Sequence, residues 1–288
     1  MSGAARVSLA VLALVALGAL LVPALAPGDP LAIGDVLGLR LLPPGSRDAA
    51  GHLHLLGTDR FGRDLAVRML LAGRLSLLVG VLGSLFSGAL GTLVGLVAGW
   101  RGGAVDRLLM AVADVLLAVP RLVLLLIAAS LWRPGTATVV AVLVATGWMG
   151  VARLVRGEVL GVRALPFVDA AAALGVPPPR VLWRHVLPNA LGPAVVATTL
   201  GVGNAILLES GLSFLGLGIQ PPAPSWGNMI AGGRDLIVVA PWVAIAPGIA
   251  LVATVLCSTL LGDWLRDRIA GETGGAARFA GVGARERA

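Results

Sequence analysis

Lysine is absent from this chain, and its whole basic complement of 22 residues is arginine. A phosphate-cradling Gly-x-x-x-x-Gly-Lys-Ser/Thr loop is therefore excluded, because the ammonium that reaches the phosphates is missing. Charge of either sign is scarce: 13% of residues are charged, against roughly a quarter in a soluble globule. Half the usual charge cannot coat a water-facing surface, so lipid must be the main solvent. Aromatic residues make up 4%, and the arginines are scattered between apolar runs instead of forming a stripe, which argues against nucleic-acid binding. The one cysteine, Cys257, lies inside an apolar run and has no partner for an internal disulfide. The histidines, His52, His54 and His185, form no helical ligand pair with a carboxylate, so no metal site is expected.

What the chain has in abundance is hydrophobic length. Apolar residues make up 57% of it and the mean hydropathy is +0.94. A helix needs roughly 20 apolar residues to cross about 30 Å of hydrocarbon. Six runs qualify, at residues 7–26, 76–99, 107–131, 137–157, 192–217 and 240–264. The expected class is an all-α integral membrane protein with six transmembrane helices. The first run carries Ala24-Leu25-Ala26, a small-residue pattern resembling a signal-peptide cleavage site. Its length exceeds the usual apolar core of a signal, and Pro27 follows the candidate cut, so an uncleaved span is expected.

Arginine placement orients the bundle. With the N-terminus in the cytoplasm, Arg6, Arg101, Arg153, Arg156, Arg163, Arg180, Arg184, Arg266 and Arg268 fall inside the cell. Arg40, Arg47, Arg60, Arg63, Arg68 and Arg74 then share one long outer loop, where the charge rule loses force. That loop reads as irregular linker over 27–51 and as a short amphipathic surface helix over 62–75. Gly91, Gly95 and Gly99 recur every fourth residue and share one helix face, which suits close approach of a neighbouring backbone. Residues 267–288 hold Gly, Ala and Arg with little to bury, and a disordered cytoplasmic tail is expected there.

The most informative segment is the basic loop over 162–191. An Ala-rich helical piece, residues 167–174, is ended by Gly175, the residue type that tolerates positive φ just past a helix. Pro177, Pro178 and Pro179 then start a second short helix expected to end at Pro188-Asn189. Two short helices meeting at a bend between two spans would make a rigid knob able to transmit force.

This loop resembles the cytoplasmic loop of type I ATP-binding-cassette importer permeases. Their pattern is Glu-Ala-Ala, three residues, Gly, then nine residues before a hydrophobic-x-Leu-Pro ending. Asp169-Ala170-Ala171, Gly175 and Leu187-Pro188 reproduce it with the spacing intact. Asp169 replaces the Glu, and His185 stands where the pattern has an aliphatic residue. Arg184-His185-Val186-Leu187-Pro188-Asn189 is similar to the dipeptide, oligopeptide and nickel branch. So are Gly57-Thr58-Asp59 with Gly62-Arg63-Asp64, the Leu212 to Gly218 stretch, and Pro224-Ser225-Trp226-Gly227-Asn228-Met229. The resemblance implies the type I importer permease fold, with a membrane anchor and outer loop over 1–51, an outer segment over 52–75 and a transmembrane core over 76–266. It also implies a homologous second permease, two ATP-binding ATPase subunits and an external solute-binding protein as partners, in a bacterial cytoplasmic membrane. Asp169, Ala170, Ala171, Gly175, Leu187 and Pro188 would dock on an ATPase. ATP would bind there, and this chain would bind no cofactor of its own.

Asp114, Arg121 and Glu209 fall within the expected spans, where a central charge costs on the order of 3 kcal/mol. Asp114 and Arg121 would share one helix face two turns apart, with Pro120 kinking the helix between them, and Glu209 could reach Arg121 from the fifth span. All three are candidates for the path of a polar solute such as a zwitterionic peptide. An ion-coupled secondary transporter is the alternative, and these three charges would then be its titratable relay. A membrane scaffold without transport is a second. An enzyme is not expected: Ser210 has no His or Lys placed in sequence to activate it.

Overall fold

The computed structural model describes residues 3–25 and 36–285, with side-chain surroundings given for most of these up to Ile269. Five helices are long and apolar enough to cross a membrane, and a bent pair makes a sixth crossing if it counts as one. They are α1 (Gly3–Leu25), α3 (Leu65–Arg101), the pair α4 (Gly103–Ala118) and α5 (Arg121–Ser130), α6 (Thr136–Arg163), α9 (Leu187–Phe214) and α11 (Trp242–Arg285). Short elements join them: α2 (Val36–Leu39), the strands β1 (Ser46–Arg47) and β2 (Leu53–His54), α7 (Pro166–Ala173), α8 (Pro178–Val181) and α10 (Trp226–Gly233).

The six expected spans all appear, but several boundaries move for physical reasons. The expected amphipathic helix over 62–75 is the first turns of α3, which starts at Leu65 and runs on without interruption. Asp64 fixes that start by accepting the Val67 backbone N–H at 3.0 Å as its N-cap. The described part of the expected linker contains one helical turn and an antiparallel β1–β2 pairing, Ser46 opposite His54 and Arg47 opposite Leu53; residues 26–35 lie outside the described chain. The third span is broken, not kinked: α4 and α5 diverge by 92°. Pro120 has no N–H to continue the α4 ladder and disfavours helical geometry at Val119, which is extended. The last helix continues to Arg285 instead of giving way at residue 267; adding a helical residue at an existing end needs only its own backbone bond.

The centre of the bundle is the parallel contact of α3 with α6. A Cβ built on Gly91 would come 2.5 Å from the Trp148 carbonyl oxygen, and one on Gly95 2.4 Å from that of Ala152. One on Gly99 would meet Val159 Cβ at 2.8 Å. The three glycines face one helix, so close backbone packing is what their spacing serves. On another face of α3, α9 packs antiparallel, with Ile206 filling the space left by Gly80. Gly18 of α1 meets Leu70 of α3, and Gly192 of α9 meets Ile269 of α11. These contacts alternate the helix directions, so the start of α1, the Arg101–Gly103 turn, the 164–186 loop and the later part of α11 share one end of the bundle.

Replacing Gly95 by Val should prevent normal packing, since overfilling a close-packed contact costs on the order of 1–3 kcal/mol even where neighbours can give. Gly157, with nothing within 4 Å of an added Cβ, is the matched control. Thermal unfolding in detergent should show a lower midpoint for Gly95→Val and an unchanged one for Gly157→Ala.

Candidate translocation cavity and coupling loop

The loop keeps the expected bend at Gly175, which sits at φ +74 just past α7. The Val176 N–H reaches the Ala171 carbonyl at 3.0 Å, closing the helix end in the six-to-one bond that left-handed glycine permits. Ala171 and Val176 both pack on the buried cluster of Leu96, Val155, Val159 and Val181, so this capping bond is backed by apolar contact. Asp169 lies in the first turn of α7, where the helix dipole favours a carboxylate. It is exposed and makes no ion pair among the described residues.

The second half of the loop departs from expectation. It does not end at Pro188-Asn189: α8 passes through a π-helical turn, Leu182–Val186, directly into α9. Pro188 cannot donate to the preceding turn and its ring would crowd the Arg184 carbonyl, which a wider turn relieves. The Leu187 N–H accordingly reaches back to the Leu182 carbonyl, and the Asn189 side-chain amide donates to the His185 carbonyl at 2.6 Å. Val181 and Val186 are buried in the same cluster as Val155, while Leu187 packs partly against it. His185, the departure from the aliphatic pattern, lays its ring 5.6 Å from that of Phe167 and so joins the two halves. Of the six sequence-chosen residues, Asp169, Ala170, Gly175 and Pro188 face outward, whereas Ala171 and Leu187 lean into the bundle. Sequence reasoning missed Leu174 and Trp183, which are 84% and 62% exposed on the same knob. Large apolar side chains in a short loop that bends between two spans are the signal available.

Two ion pairs lash the loop end of α6 to α4. Arg156 meets Asp106 in a bidentate pair, with Nη2 to Oδ2 at 2.7 Å. Arg153 meets Asp114, its Nε 3.0 Å from Oδ1. Arg163 donates to the carbonyls of Gly99 and Trp100 at 2.7 and 2.8 Å, occupying two carbonyls in the last turn of α3. The three intramembrane charges are thus not brought together. Asp114 belongs to the α4–α6 lashing, because the break at Pro120 takes it off the Arg121 face.

Glu209 does not reach Arg121 either. It is fully buried and accepts hydrogen bonds from three serines: Ser76 at 3.0 Å, Ser213 at 2.7 Å and Ser210 at 3.3 Å. Two of these hydroxyls also take up backbone donors beyond α9. Ile219 N–H donates to Ser213 at 2.9 Å and Trp226 N–H to Ser76 at 3.3 Å. Trp226 is buried and its indole donates to the Met69 carbonyl at 3.0 Å. Ser225 and Asn228 cap α10 reciprocally. Glycines at 218 and 227 allow this closure, since added Cβ atoms would meet the Ser213 backbone N at 2.6 Å and the Ser210 carbonyl oxygen at 2.3 Å. The Leu212–Gly218 and Pro224–Met229 stretches therefore build one clasp between α3, α9 and α10.

Arg121 is the charge that meets open space. It opens α5 and lines a cavity of about 310 Å³ walled by Ser84 and Ser87 of α3, Gly147 of α6 and Thr198, Gly201 and Asn204 of α9. Its Nε is buried without a hydrogen-bond partner. Gly147 leaves the room for it: a Cβ there would lie 3.0 Å from both Arg121 Nη2 and Ser87 Oγ.

The sequence family described as "Binding-protein-dependent transport system inner membrane component" matches residues 91–271. The chain belongs to this family. It is 39% identical over 216 residues to the oligopeptide transport system permease protein OppC of Haemophilus influenzae, covering 75% of this chain and 70% of that one. It is 44% identical over 211 residues to a probable peptide ABC transporter permease, y4tQ, of Sinorhizobium fredii, covering 73% and 72%. A chain of the MetNI methionine ABC transporter, solved in inward-facing conformations, matches with a TM-score of 0.57 at 19% identity, covering 71% of this chain and 96% of that one. That likeness is one of fold. This permease is a type I importer permease of the oligopeptide branch.

Glu209→Ala would strand the Ser76 and Ser213 hydroxyls in the core, at about 1–3 kcal/mol for each buried group left unpaired. Glu209→Gln keeps an acceptor. A thermal shift assay on the purified permease should show a large loss for Glu209→Ala and a smaller one for Glu209→Gln.

Proposed function

We propose that this chain is a permease subunit of an ATP-driven importer for peptides or a related polar solute, and that the 164–186 knob is its contact with an ATPase subunit. The observation that carries this reading is the knob itself: Asp169, which makes no ion pair among the described residues, and protruding Leu174 on one half, packed against a second half that bears Trp183 and becomes α9 without a break. A projection with exposed apolar side chains and the charges of Asp169, Arg180 and Arg184 fits a groove on a partner, and a helix continuous with a span converts movement of that groove into tilt of α9. Leu174 and Trp183 would anchor the contact, Asp169 would pair with a donor on the ATPase, and Ala170 and Gly175 would let its backbone come near.

ATP binding and hydrolysis then reside in two partner ATPases, and this chain holds no cofactor. A homologous second permease completes the path, a solute-binding protein delivers the solute, and lipid covers the outer faces. The family's inner-membrane description supports a bacterial cytoplasmic membrane location, and the arginine distribution supports an orientation with the knob and both termini inside the cell. The ion-coupled alternative lacks its relay, because Asp114 is held by Arg153 and Glu209 is enclosed by serines.

With Cys257 as the only native thiol, Cys257→Ser supplies a background for a single reporter. A bifunctional crosslinker attached at Asp169→Cys in the assembled membrane complex should capture an ATPase subunit. Leu174→Asp should lower solute uptake at least about tenfold, the ratio that 1.4 kcal/mol of lost contact gives at equilibrium. Crosslinks that never include a nucleotide-binding subunit, or labelling of Asp169→Cys from outside intact cells, would refute the reading.

A further inference from the structure

The cavity beside Arg121 has a one-sided chemistry. Its hydroxyl donors are already committed to backbone: Ser84 donates to the Thr198 carbonyl at 2.6 Å, Ser87 to that of Ser84 at 3.1 Å, and Thr198 to that of Ala194 at 2.8 Å. Among the described residues, the uncommitted side-chain donors on its wall are the Arg121 guanidinium and the Asn204 amide. Among the described residues, no carboxylate lines the cavity. Asp114 and Glu209, the acids nearest in expectation, are bound to Arg153 and to serines.

Depth matters as much as composition. Gly147, against which the guanidinium rests, lies near the middle of α6. At 1.5 Å per residue, roughly 16 to 24 Å of helix separates it from either end. A lipid phosphate at headgroup level does not reach there. A cation held at mid-membrane without a counter-charge is costly and marks a substrate or ion pathway, and a guanidinium offers the planar fork that matches a carboxylate.

We propose that Arg121 and Asn204 form a subsite that receives the carboxylate of a peptide passing through the cavity, an inference that rests on the importer reading above. With a guanidinium and no carboxylate among the described residues of its wall, the subsite favours an anionic acceptor and offers the peptide's ammonium no counter-charge. It reads one end of a zwitterion. Gly147 is a positioning residue, keeping space for the guanidinium beside Ser87.

Charge-selective thiol labelling tests this without measuring transport. In the Cys257→Ser background, Asn204→Cys is introduced into the purified assembled importer. It is treated with a sulfonate-bearing or a trimethylammonium-bearing methanethiosulfonate. The anionic reagent should react about tenfold faster, the lower end of what a focused field gives. Adding Arg121→Met should abolish the preference. Trialanine should slow the anionic reagent, while trialanine amide should not. Ala197→Cys, on the same wall, serves if the Asn204 variant fails to assemble.

Equal rates for the two reagents, a preference that survives Arg121→Met, or equal protection by the acid and the amide would each overturn the subsite. A preference seen with this chain alone but lost once the second permease is added would overturn it too, by assigning Arg121 a counter-charge on that partner. None of these results bears on the Asp169 crosslink, so the subsite can fail while the importer reading stands.

Discussion

The approach of α3 to α6 is the constraint on which the remaining geometry depends. Gly91, Gly95 and Gly99 bring two backbones to a separation at which no side chain fits between them. In lipid, where burying apolar surface between helices gains little, such packing supplies much of the association energy. Once those helices are fixed, the other parts have places. Arg163 of α6 can reach the last carbonyls of α3, Arg153 and Arg156 can hold α4, and Gly147 falls opposite Ser87 to open one wall of the cavity.

The two ends of the bundle are built differently. At the end away from the knob, Glu209 and its serines make a closed polar clasp in which the Ser76 and Ser213 hydroxyls each serve two partners, so α10 is pinned to α3 and α9. Buried networks of this kind are strong when every member is satisfied. At the knob end, connection is by continuity. The chain passes from α8 through a π turn to α9 without a hinge, and the flexible φ > 0 residue, Gly175, lies before that unit and not within it. In the proposed coupling, a fixed far end and a rigid near end would make α9 a lever, and its Thr198, Gly201 and Asn204 line the cavity.

Much of this was legible in the sequence because the governing quantities are local sums. Six apolar runs and the Gly-x-x-x-Gly spacing need only length and period, and Gly175 after an alanine run needs only backbone geometry. What was not legible depended on competition between local rules and partners. Pro188 reads as a stop, yet a π turn and the buried Val181 and Val186 carry the helix through it. Pro120 reads as a kink, yet the break is large enough to send Asp114 and Arg121 to different neighbours. Glu209 reads as a path residue because an intramembrane acid defaults to function. Three serines, one of them on α3 far away in sequence, enclose it in a buried hydrogen-bond network that its sequence position does not show. Leu174 and Trp183 fall at no motif position, and only the structure shows how far they stand out of the knob.

The central claim is that the α8 half of the knob and α9 move as one body. Pairs of spin labels on cysteines at Arg184 and Leu207, both exposed on this continuous segment, report its internal length in the Cys257→Ser background. A second pair, at Arg184 and the exposed Leu93 of α3, reports its position in the bundle. On trapping the importer with ATP, the account predicts an unchanged Arg184–Leu207 distance and a shifted Arg184–Leu93 distance. A changed first distance, with the second constant, would mean that the segment bends at Pro188 and that the knob does not drive the span.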